Sequence, residues 1–147
     1  ILVSALQLTN ISEQYLKQDE TEPKKHIILI SGGADKNLNF AELGKIMNEK
    51  CKLIILLPGT ATTKIKKSLD PETPISRASD MAKAVTLAAK LARPGDTVLL
   101  SPGCASFGLF RHEFERGEAF NAAVTALKNP NIKIQISNQA QSSKSKI

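Results

Sequence analysis

Tryptophan is absent from this chain of 147 residues, tyrosine occurs once and phenylalanine five times. That scarcity, with no nucleic-acid-binding motif anywhere in the chain, reads against a nucleic-acid partner. Only two cysteines are present, Cys51 and Cys104, and they stand far apart. A disulfide framework needs more of them, so an ordinary cytoplasmic compartment is expected. No apolar run approaches the roughly 18 residues of a membrane-spanning helix. The first residues, "ILVSALQLTNISEQYLKQDE", contain neither a basic leader nor an initiating Met. They do not resemble a secretory signal, and they suggest a chain that begins inside a larger protein. The two histidines, His26 and His112, and the two cysteines form no cluster with metal-ligand spacing. Neither G-x-x-x-x-G-K-[ST] nor G-x-G-x-x-G occurs, which excludes the two commonest phosphate-binding fingerprints. No catalytic triad is visible.

What is present is an ordinary globular composition: 41% hydrophobic and 23% charged residues, in a length that fits about one domain. Twenty Lys and Arg against fourteen Asp and Glu leave a net charge of +6. Such a balance suits an anionic partner, either a small molecule or a surface. Residues 1–8 read as the end of a helix and 9–25 as a polar, charged loop. "HIILIS" (26–31), "CKLIILL" (51–57) and "TVLLS" (97–101) are continuous apolar runs, the pattern of strands covered on both faces. Between them, Phe40, Leu43 and Met47 recur at helical spacing, and "TATTKIKKSL" is a short helix candidate. Residues 70–74 form a turn-rich loop. Ser79 is placed to cap a helix over 80–92, with Met81, Val85, Ala88 and Ala92 on one face. A last long helix covers 113–127, where Phe110, Phe114, Phe120, Val124 and Leu127 form an apolar stripe and Gly117 allows close packing on a neighbour. "NIKIQIS" alternates as a C-terminal edge strand. Residues 138–147 read as a disordered tail.

Strands alternating with helices predict an α/β fold: a Rossmann-like, mostly parallel sheet flanked by helices. One folded domain over 1–137 and the tail complete the organisation, with a monomer expected. In such sheets ligands gather at the carboxyl ends of the strands. Three loops leave the strands there, "SGGADKN", "PGTATT" and "SPGCASF", all rich in small residues. Lys36 brings a mobile cation to that edge, and Ser106 a hydroxyl near free backbone amides. Cys104 lacks a partner base and reads as a small structural residue. His26 reads as structural or solvated, and His112 as a surface residue at a helix start.

Two of these segments together resemble the C-terminal domain of the Mur ligases, nearest to the members that add D-glutamate. Gly32, Gly33, Lys36 and Phe40 fit that family's G-G-x-x-K-x-x-x-F. Leu99, Leu100, Ser101, Pro102, Ala105, Ser106 and Phe110 fit L-L-S-P-A-x-A-S-x-D-x-F, and Arg116, Gly117 and Phe120 fit the R-G-x-x-F that follows. Gly103 replaces a commoner Ala, and Gly108 stands where Asp is frequent. Glu113 occupies the usual aromatic position, with Phe114 one place later, a rotation of about 100° around a helix.

The resemblance implies an ATP-dependent ligase of peptidoglycan precursor synthesis that joins D-glutamate to UDP-N-acetylmuramoyl-L-alanine. It implies that ATP and Mg2+ sit mainly on a central domain, and the UDP moiety on an N-terminal domain, both missing from this chain. This domain would bind the amino acid through Lys36, Ser106, Phe107 and Phe114. It would hold no metal and no catalytic residue, and would be inactive alone. No membrane and no nucleic acid enters this picture. A non-catalytic α/β binding module derived from the family is the alternative.

Overall fold

The computed structural model describes residues 25–104, 109–127 and 133–136. Five strands form one sheet: β1 (Ile27–Ser31), β2 (Cys51–Leu56), β3 (Ile75–Arg77), β4 (Thr97–Leu100) and β5 (Lys133–Ile136). Their order is β3-β2-β1-β4-β5. Every pairing is parallel. Four helices connect them: α1 (Ala41–Lys50), α2 (Thr62–Lys67), α3 (Met81–Leu91) and α4 (Glu113–Ala126).

Strand alternation divides the apolar runs between two cores. Ile28 is paired with Leu53 and Val98, and Ile30 with Ile55 and Leu100. All six side chains face one layer, against Met81, Ala84, Val85 and Ala88 of α3 and Phe120 of α4. Leu29, Ile54 and Leu56 face the opposite layer, with Phe40, Met47 and Ile65. Helices therefore cover both faces, and this is why the three runs carry no polar alternation. The expected edge strand is β5, at one end of the sheet beside β4.

Residues 75–77, to which the sequence assigns no element, form β3; its three residues, "ISR", are too few to show a period. Several local expectations are corrected. Asp80, not Ser79, caps α3: its backbone is extended and its carboxylate accepts the Lys83 N–H at 2.8 Å. Ser79 instead donates its hydroxyl to Asp80. Gly117 packs closely on none of the described residues, because a Cβ there would meet nothing of them within 4 Å. The close approach is at Gly44 of α1, where a Cβ would lie 2.3 Å from the Ser68 carbonyl oxygen. Phe114 leaves the apolar stripe. It falls in the first turn of α4, 43% exposed, edge-on to His112 with ring centroids 6.0 Å apart. The readings of 1–8, most of 9–25 and 138–147 lie outside the described residues.

Candidate functional site

The ends of β1, β2 and β4 are joined to one another by backbone. Ser31 donates its hydroxyl to the Pro102 carbonyl at 2.8 Å. The Leu57 N–H reaches the Ser31 carbonyl at 2.8 Å, and the Ala61 N–H reaches that of Gly33 at 3.0 Å. Gly32, at φ +116°, adopts a conformation that L side chains rarely enter, and a Cβ on it would stand 2.6 Å from the Leu57 carbonyl oxygen. Gly59 closes the same seam, since a Cβ there would lie 2.1 Å from the Gly33 carbonyl oxygen. The small residues of the first two loops thus let two backbone segments touch.

Lys36 emerges from this seam on an exposed loop. The neighbouring Asp35 fixes the loop. Its N–H donates to the Thr60 hydroxyl at 2.9 Å, its carboxylate accepts the Leu38 N–H at 3.3 Å, and Lys64 of α2 pairs with that carboxylate. The hydrogen bond from Lys64 is the main cause that holds the Asp35 carboxyl below its ordinary range; burial opposes it, and the Leu38 N–H, the Lys64 charge and the Asn37 N–H add smaller lowering effects. On the other side, the half-buried Arg116 of α4 donates from Nη1 to the Cys104 carbonyl at 3.2 Å. Desolvation lowers the Arg116 pKa. A small hollow opens between Gly32, Gly33, Leu57, Pro58, Phe110 and Arg116. Cys104 lies in reach of both charges. Burial first, then the Asp35 carboxylate, push its thiol up to about 11, with Arg116 opposing. The thiol is protonated at neutral pH, as befits a packed small residue.

Of the residues expected to bind ligand, Lys36 stands on the loop after β1 and Phe114 on the exposed first turn of α4. Ser106 and Phe107 lie outside the described residues. Asp35, Thr60 and Lys64 were not singled out from sequence. Their contacts join residues 25 and 29 positions apart, and no local pattern marks them. Arg116 was legible only as a motif letter. His112 is the N-cap of α4, its Nδ1 accepting the Glu115 N–H at 3.1 Å. His26 lies 3.6 Å from Asp96.

A parallel sheet covered on both faces, with its loops drawn together at the carboxyl edge beside a hollow that Arg116 lines, is an α/β domain of the doubly wound kind. Comparison narrows the class. Residues 13–104 match the family described as "Mur ligase, glutamate ligase domain", and the chain belongs to that family. It is 49% identical over 102 residues to a UDP-N-acetylmuramoylalanine–D-glutamate ligase of Roseiflexus sp. (strain RS-1), covering 67% of this chain and 22% of that protein. The enzyme of that name from Symbiobacterium thermophilum is 48% identical over 104 residues, 69% of this chain and 23% of that protein. The one from Chlamydia felis is 40% identical over 101 residues, 69% and 24%. The chain thus spans under a quarter of the length of these relatives. The family match takes in the Lys36 loop and ends at Cys104, ahead of Ser106 and α4. No helix among the described residues is long and apolar enough to cross a membrane.

Proposed function

We propose that this chain is the amino-acid-binding domain of an ATP-dependent ligase that adds D-glutamate to UDP-N-acetylmuramoyl-L-alanine, a cytoplasmic step of peptidoglycan precursor synthesis. The observation that carries the reading is the Lys36 loop. It lies inside the family match and at the carboxyl end of β1, where such sheets take their ligands. ATP and Mg2+ are assigned to domains outside this chain. Among the described residues no three His, Cys, Asp or Glu side chains gather as a metal site. When bound there, ATP supplies the phosphoryl group that activates the substrate carboxylate.

The work of this chain is recognition and orientation. The Lys36 ammonium pairs with a carboxylate of the incoming amino acid, and Ser106 with nearby amides satisfies another. The amine is left free to attack the activated carbon. A dicarboxylate matches this cationic, amide-rich edge, whereas a distal ammonium would be repelled by it. The isolated chain, read here as a monomer, is expected to turn over no ATP.

The test is kinetic. In the full-length ligase, Lys36→Ala should raise KM for D-glutamate roughly ten- to a hundredfold, the worth of one charge-assisted hydrogen bond, and leave KM for ATP near its original value. ADP release with UDP-N-acetylmuramoyl-L-alanine should require D-glutamate and fail with lysine or diaminopimelate. Loss of ATP affinity with amino-acid affinity intact, or turnover of the diamino acids alone, overturns the reading.

A further inference from the structure

The first turn of α4 is weak in its own backbone. Its opening bond, from the Arg116 N–H to the His112 carbonyl, is long at 3.4 Å. Gly117, next along, is a poor helix former. A pair of side chains holds the turn instead. The exposed His112 imidazole, at the N-cap, accepts the Glu115 N–H on Nδ1 at 3.1 Å. Glu115 answers from the third helical position, its carboxylate accepting the Arg111 N–H at 2.6 Å. This is a variant of the capping box, with an imidazole where Ser or Thr is usual and the carboxylate reaching one residue further back. Two side chains depend on that turn. Phe114, which the family resemblance assigns to the amino acid, lies edge-on to the imidazole with ring centroids 6.0 Å apart. Arg116 reaches the Cys104 carbonyl at 3.2 Å and ties α4 to the loop after β4.

An imidazole differs from a hydroxyl in one respect. Nδ1 accepts a hydrogen bond only while it carries no proton, and histidine changes charge between about pH 5 and 8. A protonated ring turns a second donor toward the Glu115 N–H and sets a cation at the positive end of the helix. We infer that His112 is a positioning residue of the amino-acid site that works in its neutral form: uncharged, it caps α4 and holds Phe114 and Arg116 in place, and its protonation frees that turn. This rests on the proposed function and deepens it, making D-glutamate binding depend on pH through a residue that need not touch the substrate. The charges about the turn are Arg111, Glu113, Glu115 and Arg116 on the same segment. From other elements come Asp80, at the start of α3 in a groove shared with Leu109 and Phe110, and Asp35, whose charge reaches Cys104 beside Arg116. The carboxyls of Asp35, Asp80 and Glu115 are all held low and stay ionised where histidine titrates. Residues 105–108, Ala-Ser-Phe-Gly, carry no charge.

The experiment compares wild type, His112→Asn and His112→Ala in the full-length ligase. Steady-state ADP release is followed at saturating ATP and muramoyl substrate, at about pH 5.5 and about pH 8, with thermal melts at both. Asparagine caps a helix well and does not titrate. Between the two pH values, KM for D-glutamate should rise about fivefold more in the wild type than in His112→Asn, the worth of one N-cap. The change in kcat should agree between the two within about twofold, the split expected when ground-state binding alone is lost. Protonation of the D-glutamate amine is common to all three proteins and cancels. His112→Ala, with no cap at either pH, should show KM about fivefold above that of His112→Asn at about pH 8, and no extra rise in acid. If wild type and His112→Asn change in parallel, or if His112→Ala lowers the melting temperature and leaves KM unchanged, the inference fails and the proposed function stands. If ADP release does not depend on D-glutamate, the reading beneath the inference fails, and the inference with it.

Discussion

Lys52 and Asp96 form an ion pair inside the protein, their side chains 6% and 4% exposed, where β2 and β4 begin on either side of β1. Asp96 also accepts the Arg93 N–H at 2.8 Å and so ties the turn before β4 to the same anchor. An ion pair so deeply desolvated adds little net stability over an apolar pair, but breaking it from one side is costly. Lys52→Met leaves the Asp96 carboxylate inside the protein without its ammonium, and should cost about 3–5 kcal/mol in urea unfolding. Adding Asp96→Asn, which keeps an acceptor for Arg93, should recover much of that loss. A double variant as unstable as the sum of the two singles would show that the pair does not act as a unit.

Two helical glycines should respond in opposite directions to the same substitution. At Gly44 a Cβ would meet the Ser68 carbonyl at 2.3 Å, backbone that cannot step aside. Gly44→Ala should therefore destabilise by about 1–3 kcal/mol as α1 is pushed off the end of α2. At Gly117 a Cβ meets nothing among the described residues, so Gly117→Ala should gain about 1 kcal/mol from helix propensity alone. Thermal melts of the two variants decide this, and a destabilising Gly117→Ala would show that α4 needs its glycine for a reason other than space.

The legible part of the fold was the buried part. "IILIS", "CKLIIL" and "TVLL" announce themselves because a strand covered on both faces needs no polar residue, and the helices between them followed from period and length. What escaped depended on partners distant in sequence. Three residues of β3 exist as a strand only because β2 is beside them. Gly117 and Gly44 look alike in sequence, and only the neighbouring Ser68 tells them apart. On the loop after β1, Lys36 stands out by its motif. The Asp35–Lys64 pair does not stand out, because each residue alone is one more surface charge.

Asp80 offers a check in acid. Its carboxyl is held below its ordinary value of 3.8, first by the Lys83 N–H and then by the Ser79 hydroxyl. A lowered folded pKa means that the cap contributes its full stability above 3.8 and loses it as pH falls through the folded value. At neutral pH, Asp80→Ala should cost about 1 kcal/mol, the usual worth of an N-cap. The gap between variant and wild type should narrow progressively below pH 3.8. A gap that stays constant into strong acid would mean that the ionised carboxylate is not what caps α3.

Both thiols should be unreactive, and alkali should expose why. Burial is the main cause that pushes Cys51, beneath the α1 side of the sheet, up to about 11, with the Lys25 charge opposing. Cys104 is raised to about 11 as well, by burial and the Asp35 carboxylate. At pH 8 only about one thiol in a thousand would then be the nucleophilic thiolate. A disulfide reagent such as DTNB should modify the native chain at least about a hundredfold more slowly than the chain in urea, where the thiols return toward ordinary values. The sign for stability follows from the raised pKa. The folded state holds its thiol protons longer than the unfolded one, so these groups leave stability intact below 9.0 and withdraw it as pH rises from there through about 11. Cys51→Ala should flatten that alkaline decline in denaturant titrations, even though it trims the core. Rapid labelling of native Cys104 at pH 8, with the fold intact, would instead reveal an activated thiol at the mouth of the site and reopen the role of that residue.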